Sequence, residues 1–141
     1  MTRHVFVAVL WSILPALAAC DSSPSGPSSD VPLGQEFTLK PGESATVLGT
    51  DLQVSFEKVV EDSRCPADVV CIQAGDVVVA LQARWKDGAS DFQLRTAGGR
   101  NAAVAGAYHV RLVRVHPEAN TSHPIASGDY RAVLEVTPGS A

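Results

Sequence analysis

Cys65 and Cys71 close the stretch Cys65-Pro66-Ala67-Asp68-Val69-Val70-Cys71, and they are the two cysteines of the chain's central part; a third, Cys20, lies near the amino terminus. Two thiols at this spacing could form a disulfide, act as a redox couple, or supply half of a zinc site. Redox chemistry favours Cys-x-x-Cys at a helix amino terminus, where the dipole depresses a thiol pKa; five intervening residues provide neither feature. A structural zinc needs four nitrogen or sulfur ligands, and the histidines, His4, His109, His116 and His123, lie far along the chain from the pair. A disulfide therefore fits best, with redox and metal chemistry as the weaker alternatives. Closing this seven-residue ring is worth about 2 to 2.5 kcal/mol by chain entropy.

Carboxylates surround the ring. Glu61, Asp62, Asp68 and Asp76 form an acidic connection around Arg64, and such a loop could offer oxygen ligands to calcium. It lacks the alternating acidic spacing and glycine of an EF-hand. Asp62, Arg64, Asp68 and Asp76 are nonetheless the candidate binding residues. Arg64 before a ring-closing cysteine also has the form of the exposed basic residue in a protease-inhibitor loop spanning 62–71. His116-Pro117 and His123-Pro124 bracket a polar loop, so His116 and His123 are weak candidates for copper or zinc. No serine has a nucleophile-elbow context, since Pro41-Gly42-Glu43-Ser44 lacks the spacing. No nucleophile can be paired with a base, so neither an enzyme nor a required cofactor is expected.

The first twenty residues, MTRHVFVAVLWSILPALAAC, carry Arg3 and His4, then an apolar run from Val5 to Leu17, then small residues before a cysteine. That is the layout of an export signal over 1–19. Interrupted by Ser12 and Pro15, the run falls short of the roughly 20 apolar residues a membrane span needs. Leu17-Ala18-Ala19-Cys20 resembles the lipobox of bacterial lipoproteins, in which the cysteine thiol takes a diacylglyceryl group and becomes the acylated first residue. Several acyl chains such as palmitate anchor stably, because each buried methylene contributes about 0.8 kcal/mol. Residues 20–34 then read as Cys20 followed by a Ser/Pro/Gly tether, which as a coil would hold the domain on the order of 20 Å from the membrane. Asp21 resembles an inner-membrane retention signal of enteric bacteria, a rule that differs between lineages; inner and outer membrane both stay open.

Export to an oxidising space, with Cys20 consumed by lipidation, leaves Cys65 and Cys71 as an even pair. The chain has 11 Lys and Arg against 15 Asp and Glu; removing Arg3 with the signal leaves 10 against 15, a balance of −5. Nucleic-acid binding rests on clustered cations, so nucleic acid is not an expected partner.

Residues 35–141 have the length of one small domain. Val77, Val79, Leu81, Ala83 and Trp85 alternate with Val78, Ala80, Gln82, Arg84 and Lys86, predicting a strand with one face in a core and one mostly wet. Further strands are predicted at 36–40, 44–48, 52–61, 91–96, 107–115 and 129–137, broken by turn residues such as Pro41-Gly42, Lys86-Asp87-Gly88 and Gly98-Gly99. About seven strands and no helix predict an all-β antiparallel β-sandwich, with a small β-barrel as the alternative. The alternation slips in 52–61, where Leu52, Val54 and Phe56 give way to Val59. It slips again in 107–115, where Leu112 is followed by Val113 and Val115. Both slips predict β-bulges.

The elements Phe37-x-Leu39-x-x-Gly42, Leu52-x-Val54-x-Phe56-x-x-Val59-x-Glu61-Asp62-Ser63-Arg64-Cys65-Pro66, Cys71-Ile72-x-Ala74-Gly75-x-Val77 and Tyr130-x-x-x-Leu134-x-Val136 together resemble a group of small bacterial lipoproteins and secreted proteins of unassigned function. The resemblance covers nearly the whole domain, and Asp-Ser-Arg-Cys-Pro with its second cysteine is its most specific part. Many members carry tryptophan where this chain has Gln73. The resemblance implies an envelope location and a disulfide, but no reaction. The expectation is a lipid-anchored extracytoplasmic module in the bacterial envelope that binds an unknown envelope protein or small ligand. A metal-binding protein and a protease inhibitor are the alternatives.

Overall fold

Two-residue alternation builds sheets with one apolar face each, and two such faces can only be hidden against one another. The computed structural model describes residues 27–139. Nine strands follow in order: β1 Ser28–Val31, β2 Glu36–Leu39, β3 Ser44–Val47, β4 Gln53–Asp62, β5 Val77–Trp85, β6 Gly88–Arg95, β7 Ala102–Ala105, β8 Tyr108–His116 and β9 Arg131–Pro138. A short 3₁₀ turn, Ser127–Asp129, is the one helical element among the described residues. One sheet has the order β1-β3-β4-β5-β6 and the other β2-β9-β8-β7, and neither closes into a barrel. The fold is the expected sandwich. All pairings are antiparallel except β1 with β3, which is parallel.

The inner faces supply the core. Val54 and Phe56 of β4, Val77, Val79, Leu81 and Ala83 of β5, and Leu94 of β6 meet Val110, Leu112 and Val115 of β8 and Ala132, Leu134 and Val136 of β9. Val78, expected on the wetter face of β5, is also buried. The β5–β6 hairpin turns on Lys86-Asp87, and its register pairs Trp85 with Gly88. The strand predicted at 91–96 therefore begins three residues earlier, at Gly88.

Both expected slips are bulges, and they decide which side chains face inward. On β5, Leu81, Val79 and Val77 point to the core; their partners on β4 are Phe56, Val59 and Asp62, with register shifts at Phe56/Lys58 and Val59/Glu61. Strict alternation would have presented Phe56, Lys58 and Val60 instead. The bulges keep Lys58 out, place Val59 against the core, and deliver a carboxylate to the inner face at the end of the strand. On β8 a single shift at Leu112/Arg114 does the same for Val115, which is buried, and leaves Arg114 outside. There Arg114 pairs with Glu36 of β2 at 2.7 Å.

Two elements differ from the sequence reading. Strand β7 was not expected, because Ala102-Ala103-Val104-Ala105 has one β-branched residue and little pattern. The tether read over 20–34 ends sooner than predicted, since its residues 28–31 form β1 beside β3 and Val31 is 7% exposed. A Ser-Ser-Asp segment carries no strand signal; β1 forms because β3 offers an open edge and Val31 and Leu33 reach the core. Cys20 and the signal lie outside the described residues.

If β1 belongs to the domain, Val31→Ala should lower the stability of the folded domain by about 1 to 2 kcal/mol, the value of two buried methyl groups. Thermal unfolding checks this, and an unchanged melting temperature would return the segment to the tether.

Candidate functional site

Asp62 and Arg64 meet where the two sheets part. Asp62 stands at the end of β4, turned inward by the bulges, and Arg64 follows two residues later. Asp62 Oδ1 accepts from Arg64 Nε at 2.8 Å and Oδ2 accepts from Nη2 at 2.6 Å, a two-pronged ion pair. The Arg64 backbone N–H adds a third bond to Oδ1 at 3.3 Å. Nη1 of Arg64 then donates across the gap to the Val115 carbonyl of β8 at 2.9 Å. From the residue just before β9, the Tyr130 hydroxyl donates to Asp62 Oδ2 at 3.1 Å. Three of these five bonds join Asp62 to Arg64 and two cross to the second sheet's side, at β8 and at the residue that leads into β9, and the Asp62 and Arg64 side chains are only 13% and 16% exposed.

Electrostatics follow the geometry. The Arg64 guanidinium holds the Asp62 carboxyl below its ordinary value of 3.8 against the opposing effect of burial. Asp62 in turn raises the Arg64 pKa. Burial, with the Asp62 charge beside it, pushes the Tyr130 phenol above 10.0.

The connection between β4 and β5 is closed at its neck. Ser63 N donates to the Asp76 carbonyl at 2.8 Å, and Asp76 N donates back to Ser63 Oγ at 3.2 Å. Gly75 is required here for space: a Cβ on it would stand 1.6 Å from the Ser63 carbonyl oxygen. Asp76 pairs with Arg95 of β6 at 3.2 Å. Beyond the neck, Cys65 and Cys71 are joined as a disulfide with their Cα atoms 5.9 Å apart.

The ring leans on the 116–128 loop. Ala67 N donates to the Ala119 carbonyl at 2.9 Å, and Asp68 accepts from the Thr121 backbone at 3.0 Å and from the Thr121 hydroxyl. These bonds lower the Asp68 pKa. The two loops singled out separately in the sequence form one structure. Its far side is apolar and wet: Val69 is 45% exposed, and Val70 and Ile72 are fully exposed.

The candidate residues therefore divide. Asp62, Arg64, Asp68 and Asp76 do not converge on a point; their side-chain oxygens and nitrogens are engaged by Arg64, Val115, Tyr130, Thr121 and Arg95. Arg64 is turned inward, so an inhibitor loop presenting it as an exposed basic residue lacks that residue. His116 and His123 are both exposed, and among the described residues no group of three His, Cys, Asp or Glu is arranged to hold a metal. A shallow cleft of about 460 Å³ runs beside the lock, lined by Arg64, Cys65, Ala67, Thr96, Val115 and His116.

Sequence reasoning missed Tyr130 and Thr121 as partners and Val70 and Ile72 as surface. A buried tyrosine ring whose hydroxyl must find a partner was a usable signal for the first. Fold and site together define a two-sheet β-sandwich with a disulfide-braced end loop. Compared with protein-family models, curated proteins and solved structures, the chain gives no match.

Arg64→Ala removes both guanidinium bonds to Asp62, leaving the carboxylate only the Tyr130 hydroxyl and the backbone N–H, and strips the Val115 carbonyl of its Arg64 donor; this should cost about 2 kcal/mol, read as a drop of about 10 °C in melting temperature. Arg64→Lys should recover less than half of this, because an ammonium cannot form the fork. The lock also has an acid-side signature. Asp62 has a depressed folded pKa, so its contribution is complete above the ordinary carboxylate value and is lost as pH falls through the lowered one. Denaturant unfolding below pH 4 should accordingly be less pH-dependent in Asp62→Asn than in the parent.

Proposed function

We propose that the protein is a lipid-anchored module of the bacterial envelope whose sandwich presents the braced 65–72 tip to a binding partner. The observation that carries the binding role is the contrast between the tip's support and its surface. A disulfide, three hydrogen bonds to the 116–128 loop and the Asp62–Arg64 lock hold it. Yet Val70 and Ile72 contribute nothing to the core. A contact surface that is rigid beforehand loses little entropy on binding, and exposed loops on a rigid sandwich are where recognition is usually placed.

The anchor rests on residues 1–20, with their basic start, apolar run and Leu17-Ala18-Ala19-Cys20 end. The disulfide is in keeping with an oxidising compartment. Among the described residues, no helix is long and apolar enough to cross a membrane; the proposal assigns attachment to acyl chains on Cys20.

Intact-mass spectrometry of the detergent-extracted protein should find a chain beginning at Cys20 with added acyl mass, and two thiols that appear only after reduction. An unacylated chain retaining residues 1–19 would remove the anchor. For the tip, Ile72→Asp should shift stability by no more than about 0.5 kcal/mol while abolishing binding; substantial unfolding would make the tip structural.

A further inference from the structure

The topology fixes where the chain enters the domain. In the register, Ser28 of β1 lies level with Ser44 of β3, and Ser44 lies level with Ser55 of β4. Because β1 runs parallel to β3 and against β4, Ser28 is the end of β1 that faces the way β4 travels from Ser55 to Asp62, toward the disulfide ring. Trp85 and Leu48 lie at the opposite end, where Arg84 pairs with Gln53 and Val47 N bonds to the Leu52 carbonyl.

Lengths agree with the direction. Ser55 to Asp62 is seven strand residues, about 20 Å with the bulges. Cys20 precedes Ser28 by eight residues, which span at most about 28 Å. The eight residues are thus long enough for an acylated Cys20 to lie level with the ring, which puts the ring end of the sandwich within reach of the bilayer.

We infer that Val70 and Ile72 make a second contact with the membrane, entering the interfacial region of the bilayer in which Cys20 is anchored. This rests on the lipoprotein reading above. The chemistry of the tip suits lipid. From Pro66 to Ala74 the one charged residue is Asp68, and its two oxygens are turned to Thr121. Val70 on the closed ring and Ile72 directly after it are fully exposed, so their insertion requires no refolding. Two aliphatic side chains are a weak membrane ligand in free solution. Held by a short tether they act at millimolar effective concentration, where a weak contact suffices to orient the domain. With a balance of −5 after removal of the signal, 10 cations against 15 anions, the domain gains nothing from anionic headgroups. The contact is apolar and indifferent to salt.

The test uses the full-length, acylated protein in zwitterionic phosphatidylcholine vesicles whose acyl chains carry bromine, a short-range quencher of indole fluorescence. Trp11 leaves with the signal, so Trp85 at the far end is the internal reference. Ile72→Trp places an indole at the tip, and Leu48→Trp places one at an exposed position at the same end of the sandwich as Trp85. The expected result is quenching of the tip indole about fivefold stronger than that of Trp85, unchanged by salt, with the Leu48→Trp indole as weakly quenched as Trp85. Protein that carries acyl mass and floats with vesicles, but whose tip indole is no more quenched than the far ones, overturns the inference. The anchor then stands and the tip is left to a protein partner. Protein that neither carries acyl mass nor floats overturns the anchor and this contact together.

Discussion

The end of the sandwich that carries the ring depends on one ion pair. A two-layer β fold is sealed along its length by interdigitating side chains, but at its ends the sheets splay and backbone groups face a gap. Here the gap is crossed by Arg64, which takes both Asp62 oxygens from the first sheet and the Val115 carbonyl from the second. Tyr130 closes the remaining side of the carboxylate. A charge this far from solvent is costly unless every donor and acceptor is met, and no buried side-chain nitrogen or oxygen among the described residues lacks a partner. The bulges in β4 are part of the same device, since without them Val60 rather than Asp62 would face Val77.

From that lock the structure separates support from contact. Asp62, Ser63, Arg64, Asp68 and Asp76 bond inward, across the neck or to neighbouring elements, where they fix the neck and the ring. Apolar residues of the ring point outward, where the fold makes no use of them. This inverts the ordinary placement of polar and apolar groups on a surface loop, and it is affordable because the disulfide and Gly75 hold the backbone without a hydrophobic anchor. In the proposed account the inversion has a physical reason, since β1 starts on the side that faces this end and the tip is offered to lipid.

Much of the fold was legible because aliphatic spacing maps directly onto a pleated sheet. The step from Phe56 to Val59, and that from Leu112 to Val115, already marked the bulges, since an odd step of three between inward positions cannot occur in regular alternation. The turn glycines marked most hairpins. What stayed hidden was set by partners distant in sequence. Strand β1 forms on an edge provided by β3, and β7 on one provided by β8, and neither segment has strong intrinsic preference. The acidic residues around the ring looked like a ligand cluster because sequence shows charge but not direction. Arg64 reaches a carbonyl fifty-one residues away and Asp68 a threonine fifty-three away, and no local pattern announces either. The exposure of Val70 and Ile72 was likewise hidden, since two aliphatic residues beside a cysteine look the same on a core strand and on a tip.

The claim that the Asp62–Arg64 lock organises the loops is tested most directly by amide hydrogen exchange in the parent and in Arg64→Ala. The amides to follow are those of Ala67 and Thr121, which bond across the two loops, with Val79 and Leu134 as core references. The account predicts that loss of the guanidinium raises exchange at Ala67 and Thr121 by at least about tenfold, while the core amides change only with overall stability. Unchanged protection at Ala67 and Thr121 would contradict it, and would assign the rigidity of the tip to the disulfide and the loop contacts alone.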